Sequence, residues 1–368
     1  MLVPGSLFLE PAAKLEAPSS KDSVVYVDKA QSTKFKAQTK HMQPKTAVIG
    51  VGSLGRQHAR IHATLASEGL SQFVSVVDLN EQTARTVAEE RKVQWTTNWQ
   101  DLIGNVDAVS LSVPTEAHCE IACGLLEAGI HVLVEKPISR TLEEADLMIK
   151  AAETGNALLQ VGHLERFNPA MVALRPHVKK PVYFEIHRVG EFTARSLDID
   201  VVLDLMIHDL DIVQWLVGEE VEVTGIHAVG IAILTNKVDA ANARLEFSSG
   251  AVANITASRV GTEKIRKMRF FQPHDYVAID YTTKRASVSS LSPPAPGGIW
   301  PGVHIKHLDV IDVEPLHAEI VSFLEAAQDG RPAPVSGLEG RNALSLALRT
   351  LDRIREHAEH PGVAALGT

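Results

Sequence analysis

Three short stretches of this chain carry residue types that can do chemistry together. The first is Lys45-Thr-Ala-Val-Ile-Gly50-Val-Gly52-Ser53-Leu54-Gly55, an apolar run that breaks into Gly-x-Gly-x-x-Gly and then into a helical pattern. Gly50 suits a tight turn off a strand, Gly52 lets a pyrophosphate approach the backbone, and Gly55 lets a helix pack close to its sheet. The helix then offers its free N–H groups and positive dipole end to phosphates. A second apolar run, Phe73 to Val77, ends in Asp78. A carboxylate there accepts hydrogen bonds from a ribose and repels a 2′-phosphate, which predicts NAD rather than NADP. Asp78 is also chemically suited to be the N-cap of a helix starting at Glu81, but its strand-end position favours the ribose role.

The second stretch is Glu135-Lys136-Pro137, which follows the apolar run His131 to Val134. In open α/β sheets ligands sit beyond the carboxyl ends of the strands, so Lys136 would point into the cofactor crevice. The alternative is a Lys-Pro that merely ends a strand at the surface. The third is Val202 to Val213, with apolar residues at 203, 206, 207, 210 and 213, the spacing of a buried helix face. Asp204, His208 and Asp211 then share another stripe. A carboxylate one turn before an imidazole orients the ring and raises its basicity, which makes a general base of it. A solvated face with an incidental His has the same pattern.

The elements that must position these residues alternate from Lys45 to about Gly162: strand, helix, strand, with further strands at Asp107 to Val113, His131 to Val134 and Ala157 to Val161, and helices at about Glu116 to Ala128 and Leu142 to Thr154. That order predicts an α/β fold with a doubly wound parallel sheet. From about Pro181 the texture changes to alternating β-branched runs: Val182 to Val189, Glu222 to Ile233, Ala241 to Phe247, Ala251 to Ser258, Ile265 to Phe271 and Tyr276 to Tyr281. This predicts an α+β half with a large open, mostly antiparallel sheet. Ser290 to Gly302 reads as a Pro/Gly-rich loop. Helices at Pro315 to Gln328 and Leu338 to His357 close the chain.

At 368 residues and 45% apolar content the chain has material for two cores. The expected division is a flexible N-terminal extension over 1–44, a dinucleotide-binding domain over 45–162 and a substrate-binding and oligomerisation domain over 163–368. The extension is rich in Lys, Ser, Ala, Pro and Thr without periodicity, and Met42 just before the first strand is a candidate start. The two cysteines, Cys119 and Cys123, supply neither a disulfide framework nor a metal-ligand set, so no metal is expected. No apolar run is long enough to span a bilayer and no leader pattern is present, which predicts a cytoplasmic protein. A net charge of −9 argues against nucleic acid or anionic membrane as partner.

Together the glycine fingerprint, Glu135-Lys136-Pro137 and Asp204-x-x-x-His208 resemble the Gfo/Idh/MocA oxidoreductases, over essentially all of 45–357. The resemblance implies an N-terminal Rossmann domain, a C-terminal open sheet that serves as the interface of a homo-oligomer (dimer or tetramer), and oxidation or reduction of small-molecule substrates such as sugars, inositols or UDP-sugars with NAD. It implies Lys136 as the active-site lysine and Asp204 with His208 as the catalytic pair. Pro114, Thr115 and His118 match the Pro-x-x-x-His stretch that lines the nicotinamide side, with Glu135 beside Lys136. The family's glycine run before the Asp-x-x-x-His helix is replaced here by Asp198-Ile-Asp200-Val-Val.

Gly162 to Pro169 and Leu203 to Asp211 look most like the nucleotide-sugar branch of that family, whose implied reaction is oxidation of the 3-hydroxyl of UDP-N-acetylglucosamine to a 3-keto sugar. Arg166 and Asn168 would then reach substrate at the domain junction, unless Arg166 pairs with Glu165 or Asp204 instead. The basic run Arg259, Lys264, Arg266, Lys267 and Arg269 would either meet a diphosphate or form a solvated face. In the implied mechanism His208 is the base, Asp204 orients it and Lys136 stabilises the alkoxide, with the roles of Lys136 and His208 interchangeable. A free-sugar or cyclitol dehydrogenase and a non-catalytic dinucleotide sensor are the alternatives.

Overall fold

The computed structural model describes residues 43–192, 199–218, 220–294 and 299–360. The N-terminal extension up to Met42, and Asp198 in the segment that replaces the family's glycine run, lie outside the described residues.

The first sheet contains β1 (Lys45–Ile49), β2 (Gln72–Val77), β3 (Gln94–Thr96), β4 (Ala108–Leu111), β5 (His131–Glu135) and β6 (Leu159–Gly162). All neighbours run parallel, in the order β3-β2-β1-β4-β5-β6. Strands such as β4, buried at every position, have helices on both faces, which is why they read as unbroken apolar runs. The connecting helices are α1 (Gly55–Ser67), α2 (Glu81–Arg91), α3 (His118–Glu127) and α4 (Leu142–Gly155). The strand order reverses between β1 and β4, the switch point beside which open α/β sheets bind their ligands.

After the short helix α5 (Pro169–Leu174) the chain enters the second sheet: β7 (Tyr183–Glu191), β8 (Val223–Ile231), β9 (Ala240–Phe247), β10 (Val252–Gly261), β11 (Ile265–Gln272), β12 (Asp275–Asp280), β13 (Arg285–Ser292) and β14 (Gly302–His307). Its order is β14-β13-β12-β11-β7-β10-β9-β8, antiparallel throughout except for the β7–β10 pair. Buried and half-buried residues alternate along β10, as expected of a sheet with one covered face. The cover is α6 (Ile207–Val217) and α8 (Gly337–Ala358), whose Leu210, Val213, Leu346 and Leu351 share a core with Phe184, Ile255 and Phe270.

The described residues from Gln43 onward hold together as one packed unit. Two helices tie its sheets. α7 (Pro315–Asp329) puts Ile320 and Phe323 against Ile61 of α1 and Leu133 of β5. α8 passes so close to β6 that a Cβ on Gly340 would lie 2.5 Å from Val161 Cγ2. Three features escape the sequence expectations: the three-residue β3, the six-residue α5, and the β13–β14 hairpin, which flanks the expected loop. β14 is exposed along its whole length, so its alternation marks no core face. No helix among the described residues is long and apolar enough to cross a membrane.

Candidate active site

The glycine loop leaves β1 at the switch point. Gly50 has φ +78°, and a Cβ there would sit 2.4 Å from Ser112 O; one on Gly55 would sit 1.7 Å from Gly50 O. Both must be glycine for the loop to close. A Cβ on Gly52 would meet nothing within 4 Å among the described residues. No described residue requires glycine at Gly52, so the open space beside it is the observation that fits a pyrophosphate. α1 starts here without a side-chain cap, whereas Asn80 caps α2 and Thr141 caps α4. Ser53 and Leu54 lie exposed in the loop. Asp78, at the end of β2, accepts from Val51 N at 2.9 Å and from Asn80 N at 2.9 Å. Because Asn80 is the cap of α2, Asp78 is left facing the loop.

Pro114 and Thr115 form the turn after β4. His118 does not line the crevice as expected. It is 1% exposed, with Nδ1 at 3.1 Å from Pro137 O and Nε2 at 3.0 Å from Val113 O, so its ring fastens the turn after β4 to the turn after β5. Burial lowers its pKa despite those carbonyls. Glu135 takes a 3.0 Å contact from His58 Nε2 on α1 and a 3.2 Å hydrogen bond from Lys136 N. Its burial works against the charged form, but His58 and Lys136 outweigh it and the carboxyl stays below its usual range. Glu135 therefore locks the start of α1 to the backbone of Lys136.

Lys136 donates from Nζ to the backbone O of Asp204 at 2.6 Å and to its Oδ1 at 3.4 Å. This alters the expected pairing. Asp204 gives its carboxylate to Lys136 and makes no hydrogen bond with His208 among the described residues, because an ammonium attracts a carboxylate more strongly than a neutral imidazole does. The turn that carries Asp204, Val202–Met206, is a π-helical turn running into α6. Such turns often occur at functional sites. His208 follows at the start of α6, and its pKa falls well below the ordinary value through burial first and then the charges of Lys136 and Arg188. A neutral imidazole therefore lies beside a charged amine, at the carboxyl end of β5.

Arg166 and Asn168, expected to reach substrate, are both buried and engaged within the protein. Arg166 is 5% exposed and donates to both oxygens of Asp211, at 2.8 and 2.6 Å, and to Glu339. The pairing alternative holds, but with partners other than Glu165 or Asp204. Asn168 caps α5 through Ala170 N and donates to Tyr281 O at 3.2 Å. The basic run is no single patch either, since successive residues of a strand face opposite sides. Lys267 and Arg269 pair with Asp280 and Glu185. Arg259 is buried against Asp239 and the Val238 carbonyl. Arg266 shares its face with Arg188, directly across the β7–β11 ladder, and its charge acts on both His208 and Asp204.

The sequence reading overlooked Arg266's separate position, the Arg188–Asp209 pair and His163. Arg188 donates to Asp209 at 2.7 and 2.8 Å and to Glu165 at 2.7 Å. His163 follows the carboxyl end of β6 as Lys136 follows that of β5, and that position was the available signal. Among the described residues no group of His, Cys, Asp and Glu is arranged to hold a metal ion.

Residues 45–163 match the model of the oxidoreductase family with an NAD-binding Rossmann fold, and residues 149–271 match the GFO/IDH/MocA C-terminal domain. The chain belongs to the Gfo/Idh/MocA oxidoreductase family. As a member it is an oxidoreductase with a nicotinamide dinucleotide cofactor and a small-molecule substrate. Among its relatives is a UDP-N-acetylglucosamine 3-dehydrogenase of Acidithiobacillus ferrooxidans, 39% identical over 83% of this chain and 95% of that protein. A solved structure of that enzyme superposes with a TM-score of 0.78 at 37% identity, covering 86% of this chain and 99% of the other. The scyllo-inositol 2-dehydrogenase (NAD(+)) of Bacillus subtilis is 30% identical over 59% of this chain and 68% of its own. A levoglucosan dehydrogenase in complex with NADH and levoglucosan shares the family fold at a TM-score of 0.76 and 18% identity, over 86% of this chain and 98% of its own.

Proposed function

We propose that the chain oxidises the 3-hydroxyl of UDP-N-acetylglucosamine to a 3-keto sugar, with NAD as the dinucleotide. The observation that carries this reading is the near full-length similarity to an enzyme named for that reaction. The dinucleotide would rest on Gly50, Gly52, Ser53, Leu54 and Gly55, with Asp78 at its ribose and Pro114 and Thr115 beside the nicotinamide. When bound, it supplies the acceptor for the hydride that leaves the carbinol carbon.

The chain's own residues handle the proton and the charge. His208, kept neutral by its surroundings, takes the hydroxyl proton. Lys136 holds its ammonium where the alkoxide develops, and Asp204 fixes that ammonium through a backbone oxygen and a carboxylate. Arg266 offers its guanidinium from β11 to the anionic part of the substrate. A carboxylate at Asp78 accepts from the ribose hydroxyls and repels a 2′-phosphate, which favours NAD over NADP. The uncovered face of the second sheet, with Phe271 half-exposed, is where a second copy would dock to form a dimer or tetramer.

The test is to incubate the protein and NAD+ with UDP-N-acetylglucosamine, UDP-glucose, N-acetylglucosamine or myo-inositol, removing the keto product chemically. UDP-N-acetylglucosamine should be turned over best, because a remote UDP group positions the reacting carbon. Oxidation of myo-inositol with no activity on a UDP-sugar would replace this reading by the inositol dehydrogenase one, which the second relative favours.

A further inference from the structure

His163 is enclosed, at 1% exposure, and neither of its ring nitrogens has a hydrogen-bond partner among the described residues. The Nδ1 of His208 is unpartnered in the same way. The two rings approach edge to face, with centroids 6.4 Å apart and planes at 88°. Asp211 Oδ2 lies 3.8 Å from His163 Nδ1. Buried polar atoms are seldom left unpaired in folded proteins, and three on two neighbouring rings beside Lys136 point to a shared task.

The charges around the two imidazoles differ. His208 faces Lys136 from the end of β5, Arg188 from β7, Arg266 from β11 and His163 after β6, all of which oppose a proton on it. His163 faces Asp211 from α6 and Glu135 from β5, which favour a proton, and Arg166 and Lys136, which oppose one. Arg166 is itself shared between Asp211 and Glu339, so that trio carries one more negative charge than positive. A proton beside His163 is therefore opposed less than one on His208, although burial disfavours both.

We propose that His163 is a positioning residue for His208: it holds His208 in the Nδ1–H tautomer, leaving Nε2 for the substrate, and receives the Nδ1 proton once Nε2 has taken the hydroxyl proton. A water bonded to a free nitrogen on each ring would carry that proton between them. The step moves a proton and no electrons, and the positive charge ends beside Asp211. The catalytic half of this inference rests on the alcohol oxidation proposed above, and the tautomer half does not.

Two measurements test it on the full chain. Imidazole 15N NMR, with the His208 signals assigned by their loss in His208→Gln, should show the Nδ1–H form in the wild type without substrate. His163→Phe keeps a ring of similar shape and removes both nitrogens. It should mix the His208 tautomers, lower kcat at least tenfold with KM changed less than twofold, and shift the pH profile of kcat, while His163→Gln restores part of the rate. An Nε2–H tautomer in the wild type overturns the proposal without any variant, even if His163→Phe fails to fold. So does a His163→Phe protein with wild-type kcat and pH profile. Loss of the Nδ1–H form in His163→Phe, in a protein that oxidises none of the four alcohols, would uphold the positioning and reject the function.

Discussion

Replacing Gly52 by alanine adds one methyl group where no described residue lies within 4 Å to meet it. The residue lies outside the left-handed region of the backbone, so alanine also constrains the unfolded chain and should raise stability by about 0.4–1 kcal/mol. The methyl would instead occupy the space offered to the pyrophosphate, whose hydrogen bonds to backbone N–H groups are worth about 1.5–3 kcal/mol each. Losing one or two of them weakens dinucleotide binding roughly a hundredfold. Gly55→Ala makes the contrast, because its Cβ would sit 1.7 Å from Gly50 O and must displace backbone. Calorimetric titration with NAD+ and thermal unfolding of the three proteins separate these effects. The expected pattern is an intact Gly52→Ala that binds roughly a hundredfold more weakly and a destabilised Gly55→Ala. A Gly52→Ala protein that binds NAD+ within threefold of wild type would show that the loop does not hold the pyrophosphate.

Lys136→Met and His208→Ala should each lower kcat about a hundredfold while NAD+ binding survives, read by steady-state kinetics beside titration. Asp78→Ser should narrow the ratio of kcat/KM for NAD+ over NADP+; equal wild-type efficiency with both cofactors would remove Asp78 from the ribose site. Arg166→Ala should cost about 3–5 kcal/mol in denaturant unfolding by stranding Asp211 and Glu339, whereas a raised KM at unchanged stability would return Arg166 to the substrate. Acid should destabilise the fold through its buried neutral histidines. Burial, then the charge of His58, lowers the His62 pKa to about 3, so below pH about 6.5 the unfolded chain binds a proton that the folded chain does not. Stability then falls by about 1.4 kcal/mol per pH unit from that group alone, down to about pH 3. Urea midpoints at pH 7 and pH 5 check this, and His62→Gln should flatten the slope.

The parts of the fold that were legible in the sequence are those whose pattern is set by burial. β1, β4 and β5 read as strands because helices cover both their faces, and the glycine loop reads as a loop because Gly50 and Gly55 leave no room for a side chain. The place of Lys136 was legible because it follows the end of such a strand. What escaped depends on contacts made far along the chain. Arg166 meets Asp211 and Glu339, 45 and 173 residues away, and no local pattern encodes either meeting. The pairing of Asp204 with His208 follows from helical spacing alone, and Lys136, 68 residues earlier, competes for the same carboxylate. The basic run looked continuous because sequence order hides the alternation of a strand, which separates Arg266 from Lys267 and Arg269.

The segment from Asp204 to Asp211 shows how one short stretch can join two sheets and still leave a reactive group free. Its three acids go to three cations from different elements: Asp204 to Lys136 after β5, Asp209 to Arg188 on β7, and Asp211 to Arg166 after β6. Two of these pairs are bidentate and buried, so they fix the helix in rotation as well as in position. Burial and the cations around it keep His208 neutral, while its Nδ1 is left without a partner among the described residues. A base ringed by cations makes a proton costly to keep, and that favours a site that passes the proton on. The same cations stabilise an alkoxide, so the surroundings that weaken His208 as a resting base lower the energy of the charge that forms when it acts.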